Sequence, residues 1–182
     1  MPFLLIAVAA CAAGFWIIMQ KSTDVASLPP DSQANISAFL AMLRVSEGTA
    51  NYADPWGTYY GGGQFTDKSD HPVITGAESP VTTQWGITTA AGAYQITLTT
   101  WTSLGGRLKY GSFSNDAQDQ AAIDLITRRG ALDAVSSGDL DTAFTLLKNE
   151  WASLPTSPAG QPTQSAQNLY DAFTSNNGVL AA

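Results

Sequence analysis

Residues Phe3 to Met19 are apolar throughout, and no charge appears before Lys21. A membrane-spanning helix needs about 20 apolar residues, with roughly 17 as the lower limit, so this run is long enough to cross. It is apolar all round, which favours a membrane helix over a helix buried in the domain core. Three readings compete: a retained anchor, a cleaved signal peptide, and a helix that first holds a domain at the membrane and later lets go. Pro2 and Phe3 follow Met1, so the basic start of a signal peptide is missing. Val8-Ala9-Ala10-Cys11 looks like a lipoprotein cleavage box, but the apolar stretch before it is very short. Ala7, Ala9, Ala10, Ala12, Ala13 and Gly14 make the run only weakly hydrophobic, which suits release. Lys21 on the C-terminal flank mildly opposes export of the downstream chain. We therefore expect 1–21 to be a transmembrane or signal-anchor segment, with export argued from function.

Residues 22–34, with Ser, Asp, Gln and Pro29-Pro30, read as a linker that discourages helix or strand. Residues 35–182 read as one domain, long enough to bury a core. The chain carries a net charge of −7, and its eight basic residues are scattered. This argues against nucleic acid as a partner, because phosphate binding needs clustered Lys and Arg. One Cys rules out an intramolecular disulfide and a cysteine zinc site, and one His argues against His-rich metal sites. No metal or cofactor is expected.

Ile36, Phe39, Leu40 and Leu43 follow the spacing of an amphipathic helix, with Gly48 placed to end it. Tyr52 to Trp85 is rich in Gly, Pro, Asp and aromatics, and Gly61-Gly62-Gly63 breaks any helix. Loops and a small β-hairpin are expected there. Tyr94, Leu98, Trp101 and Leu104 mark a second helix, stopped by Gly105-Gly106. Ser114 is placed to cap a third, carrying Ala121, Ala122, Leu125 and Ile126 and ending near Gly130. Leu140, Phe144, Leu147 and Trp151 share the face of a fourth, closed by Pro155, and Ala166, Leu169 and Phe173 suggest a last one. The expected fold class is α+β: a mainly helical, two-lobed domain with a small β/loop lobe and a cleft between the lobes.

Three glutamates are present, Glu47, Glu78 and Glu150. Glu47 follows Leu43 by four residues and so continues the apolar stripe of the first helix. Burial disfavours its charged form, and the negative end of the helix pushes the same way. A carboxyl kept protonated near neutrality is what protonating a glycosidic oxygen requires. The plainer alternative is a side chain bent to solvent at a frayed helix end. Glu78 and Glu150 read as surface residues.

Ser46-Glu47-Gly48-Thr49, preceded by Phe39-Leu40-Ala41-Met42-Leu43, resembles the catalytic-helix motif of the phage lambda endolysin family. Phe65-Thr66-Asp67-Lys68-Ser69-Asp70-His71-Pro72 and Ala91-Gly92-Ala93-Tyr94-Gln95 resemble two further motifs of that family. Gln118-Asp119 with Arg129-Gly130-Ala131-Leu132, and Trp151-Ala152-Ser153-Leu154-Pro155, resemble the last two, all in order. The resemblance implies a lysozyme-like fold and lytic transglycosylase activity. That reaction cuts the β-1,4 bond between N-acetylmuramic acid and N-acetylglucosamine and leaves a 1,6-anhydro ring. It implies Glu47 as acid and base. It also suggests Gln118 as a group that bonds Glu47 or substrate. Tyr94 and Gln95 are candidates to line the cleft, bonding sugar acetamido groups or orienting Glu47, and Tyr94 reads equally as a core residue of the second helix. Ala93 stands where the family typically has a basic residue, which removes charge support at that spot.

Trp56, Tyr59 and Tyr60 fall in a loop and are candidates for sugar stacking. Asp67 and Asp70 either shape a lip over the glycan, with Asp70 as a second carboxylate for hydrolysis, or belong with His71 to a turn whose side chains cap the backbone. Trp151 reads as packing, or as an exposed edge that stacks on a sugar ring. The favoured reading is a monomeric enzyme used in host-cell lysis, acting on peptidoglycan glycan strands from the periplasmic face of the inner membrane, anchored or released. Its rivals are a water-using lysozyme of the same fold and a wall-binding protein of the virion membrane. Peptidoglycan lies outside the inner membrane, so the first reading requires the domain to cross it.

Overall fold

The computed structural model describes residues 24–155, 157–160 and 162–181. Helix α1 spans Pro30–Ser46, preceded by a 3-10 turn at Val25–Ser27. The helix therefore opens inside the segment 22–34, whose composition reads as an irregular linker. Pro30 sits in its first turn, where proline's missing N–H costs nothing and its fixed φ suits a helix. Asp31 complements the positive helix end, and Gln33 Nε2 donates back to the Leu28 carbonyl at 2.7 Å. The anchor expected over 1–21 lies outside the described residues. No helix among the described residues is long and apolar enough to cross a membrane.

α1 is the central element of a helical lobe. Ile36, Phe39, Met42 and Leu43 are fully buried, and α6 (Leu132–Ser137) and α8 (Ala166–Ser175) pack against it. Buried Asn35 ties this layer to the chain's C-terminal end. Its amide donates to the Ser136 and Val179 carbonyls and accepts from Val179 N–H. α5 (Asn115–Arg128) and α7 (Leu140–Leu147) complete the lobe. Ser114 caps α5 through the Ala117 amide, and Gly130 ends that segment with φ 70°, as its sequence pattern predicts.

Between α1 and α5 lies the irregular lobe. It holds 3-10 turns at Thr49–Asn51 and Pro55–Gly57, the short α2 (Pro72–Thr75), and the hairpin of β1 (Val81–Thr83) and β2 (Gly86–Thr88). The strands are antiparallel, with Val81 opposite Thr88 and Thr83 opposite Gly86. The small β-hairpin expected from sequence is thus present.

Three further helix boundaries differ from expectation. α3 covers Leu98–Ser103 and begins after Tyr94. Gln95 takes a left-handed φ of 48°, and Thr97 caps the helix through the Thr100 amide. Gly105-Gly106 ends α3 but also opens α4 (Gly106–Tyr110). α7 stops at Leu147, four residues before Trp151, so Pro155 does not close it. α2, α4 and α6 have four to six residues each, too short for a helical apolar repeat to show.

Candidate active site

Glu47 is the C-cap of α1, and its N–H donates to the Leu43 carbonyl at 2.8 Å. Gly48 turns the chain away with φ 72°, a left-handed conformation that glycine adopts without steric cost. The partly exposed Glu47 side chain faces a cleft of about 610 Å³. One wall is the end of α1 and residues 150–153. The other comes from the irregular lobe, including Tyr52, Tyr59, Tyr60, Trp85 and Gln95.

Burial pushes the Glu47 carboxyl up from 4.5 to about 7, and a hydrogen bond from Ser153 pulls the other way. Ser153 Oγ donates to Glu47 Oε1 at 2.6 Å. Ser46 Oγ lies 2.7 Å from Ser153 Oγ. A hydroxyl has one proton, so with Ser153 donating to Glu47, Ser46 donates to Ser153. The two serines fix where the carboxyl points.

The cleft contains a second carboxylate, Glu150. Its side chain is only 7% exposed and pairs with Arg129 at 2.7 Å and Arg128 at 3.9 Å. Its expected place as a surface residue is corrected, because Arg128 at the end of α5 and Arg129 just after it draw it inward. Glu78 is corrected too. It is 8% exposed, both carboxyl oxygens lack a hydrogen-bond partner, and burial pushes it up to about 7. It lies in irregular chain, where no periodicity signals burial.

Of the sequence-predicted binding residues, Tyr59, Tyr60 and Gln95 line the cleft. Gln95 Nε2 donates to the Gly92 carbonyl at 3.0 Å and the Thr58 carbonyl at 3.3 Å, which stabilises its left-handed backbone. The glycine run serves the tyrosines. A Cβ on Gly62 would meet the Tyr52 hydroxyl at 2.1 Å, and one on Gly63 would meet the Tyr59 ring.

The other candidates are placed elsewhere. Tyr94 is wholly buried, donating to Asp119 at 2.6 Å and accepting from Arg44 at 3.0 Å. Trp56 donates to the same Asp119 oxygen at 2.8 Å, with the Arg44 guanidinium over its ring. Gln118 is also fully buried. It accepts from Ala93 N–H and donates to the Trp56 and Phe113 carbonyls, so it braces the irregular lobe and touches neither Glu47 nor the cleft. Asp67 is exposed and accepts from Ser69 N–H in a turn. Asp70 accepts from His71 N–H and from Trp101 Nε1 at 2.9 Å. His71 is buried and caps α2. The turn reading of this segment is the one observed. Trp151 packs in the core, with its Nε1 donating to the Tyr94 carbonyl, although an edge reaches the cleft.

Ser153 and Trp85, both on the cleft, are not singled out by the sequence. Ser153 lies within the Trp151–Pro155 motif, and no local pattern distinguishes it. Among the described residues, no group of three or more His, Cys, Asp or Glu is placed to hold a metal ion.

A partly buried carboxyl at a helix end, facing a cleft between a helical and a mixed lobe, is the arrangement of a lysozyme-like protein. The family model for endolysins matches residues 37–180, and the chain belongs to that family. It is similar to the endolysin of Escherichia phage P2, 38% identical over 83% of this chain and 98% of that protein. It is also similar to the endolysin of Escherichia phage lambda, 35% identical over 79% of this chain and 91% of that one. The structure of bacteriophage lambda lysozyme complexed with a chitohexasaccharide superposes with a TM-score of 0.71 at 34% identity, covering 81% of this chain and 96% of that one. The fold is lambda lysozyme-like, and the protein is a peptidoglycan-cleaving endolysin.

Proposed function

We propose that this endolysin is a lytic transglycosylase in which Glu47 is both acid and base. The observation that carries this reading is the carboxylate inventory of the cleft. Among the described residues, Glu47 is its one carboxyl group not held by a cation, since Glu150 is paired with arginines. Hydrolysis ordinarily uses two carboxylates, the second to activate water or attack carbon. Asp67 and Asp70, the residues considered for that role, are turned to other partners outside the cleft.

With one carboxyl, the substrate's own hydroxyl supplies the nucleophile. Protonated Glu47 gives its proton to the glycosidic oxygen as the C1–O bond breaks. The resulting carboxylate takes the proton of the muramyl 6-hydroxyl as that oxygen bonds to C1, closing the 1,6-anhydro ring and restoring the acid. A pKa of about 7 suits both steps near neutrality. The chitohexasaccharide held by the lambda lysozyme structure supports a glycan strand as the occupant of the cleft.

Segment 1–21 would carry the domain across the inner membrane and tether it on the periplasmic side until lysis. No nucleic acid or second subunit is needed for this activity.

The test is mass spectrometry of muropeptides released from purified sacculi by the full-length protein and by Glu47→Gln. We expect anhydromuramyl ends from the parent and a loss of roughly 10²–10⁴-fold in the variant. Reducing ends would replace this reading with water-using hydrolysis.

A further inference from the structure

Trp85 sits at the tip of the β1–β2 hairpin, 44% exposed, on the same cleft as Glu47. We propose that Trp85 is a glycan-binding residue, a stacking platform for a sugar ring at the hairpin side of the cleft. This rests on the reading of the cleft as a glycan site.

Three observations support it. First, Trp85 has no structural employment in the free protein. Among the described residues its indole makes no ring contact and no hydrogen bond, and it is not packed against the core. A large apolar surface left in water at a cleft is surface that a ligand gains by covering.

Second, the tip is held in shape. Trp85 N–H donates to Thr83 Oγ1 at 3.1 Å, and that hydroxyl donates to the Gly86 carbonyl at 2.8 Å. Thr83 thus latches the turn, so less backbone freedom is lost when a ligand docks.

Third, the described residues lining the cleft include no Lys, Arg or His. Attraction to an anionic group cannot be the source of affinity there. What remains is hydrogen bonding by hydroxyl and amide groups, and contact between aromatic faces and the C–H faces of sugar rings. Tyr52, itself 41% exposed, and Tyr59 and Tyr60 offer further aromatic surface in the same cleft. The chemistry fits a neutral N-acetylated glycan chain, read by ring faces and acetamido groups.

The probe is chitohexaose, a neutral N-acetylglucosamine oligomer. It is titrated calorimetrically into full-length protein in the Glu47→Gln background, so that nothing is consumed. Adding Trp85→Ala should weaken binding by about tenfold. Trp85→Tyr should recover most of the affinity, because it restores an aromatic face, and it also guards against a misfolded alanine variant. On sacculi, Trp85→Ala in the active protein should raise KM and leave kcat nearly unchanged. An affinity for Trp85→Ala equal to its parent's, a tyrosine variant as weak as alanine, or no chitohexaose binding by the parent would each overturn the proposal. Failure of the transglycosylase reading looks different: reducing-end muropeptides would refute that chemistry and leave the titration result standing.

Discussion

Around α1 the buried surface is mostly apolar, with Ile36, Phe39, Met42 and Leu43 in one core with Leu125, Ile126, Leu169 and Phe173, and Asn35 and Ser46 its polar exceptions. Across the cleft, many buried positions of the irregular lobe are polar. Thr49 Oγ1 donates to the Ala93 carbonyl at 2.7 Å, Thr58 Oγ1 donates to the Asp54 carbonyl at 2.8 Å, and the His71 ring bonds the Ile96 carbonyl. Gln118 reaches in from α5 to satisfy three backbone groups at once. The contrast has a physical origin. Helices satisfy their own backbone, so their burial needs only apolar faces. Irregular chain leaves N–H and C=O groups unpaired, and a buried stretch of it needs side chains to complete them. Glu47 stands where the two regimes meet, at the end of a helix and beside a loop-borne serine.

The largest effect that would sharpen this contrast is expected from Phe39→Ala, which empties the centre of the helical core. It should cost about 3–5 kcal/mol in denaturant unfolding. Gln118→Ala comes next, at about 2–4 kcal/mol, because it strands three buried backbone groups together. Hydrogen exchange at Ala93 N–H should accelerate with it. If Gln118→Ala costs less than ~1 kcal/mol of unfolding free energy, polar bracing is not what holds the irregular lobe.

A smaller effect is expected at Glu78, whose burial without partners raises its folded pKa to about 7 against an ordinary 4.5. The folded chain then holds this proton to higher pH than the unfolded chain does. Below 4.5 both states are protonated and nothing is lost. From 4.5 to about 7 stability falls as pH rises, and above that the loss is constant. Glu78→Gln should remove this slope and stabilise the protein at about pH 8, on the order of 1 kcal/mol, and leave it nearly unchanged at about pH 4. Melting curves of both proteins across that range decide it.

The smallest change in stability is expected at Ser153, where the readout is kinetic. Its hydrogen bond favours the Glu47 carboxylate, so Ser153→Ala should raise the Glu47 pKa further. The alkaline limb of the pH–rate profile should then move up by roughly half to one unit. An unmoved limb would show that Ser153 only packs beside the acid.

Much of the helical lobe is legible in the sequence. The α1 stripe ending at Glu47, the Ser114 cap, the α7 face through Leu147 and the α8 apolar positions all follow from spacing. The irregular lobe is legible only as a region. Tyr59, Tyr60 and Gln95 reach the cleft, but Trp56, Tyr94 and Gln118, equally polar or aromatic, became braces. Glu78 and Glu150 show the same limit, since both read as surface, whereas Glu78 is buried and the Glu150 side chain is drawn onto arginines.

The sequence alone determined the longer helices of the core and the position of Glu47 at the end of the first of them. Backbone geometry fixes the 3.6-residue repeat, so a helix's buried face is written into neighbouring residues. The tertiary structure decided which aromatics face the cleft, which polar side chains brace the loops, and what holds the Glu47 carboxyl in place. Ser153 meets Glu47 across 106 residues and Gln118 meets Ala93 across 25. No repeat encodes such a meeting, because it depends on how separate segments pack against one another.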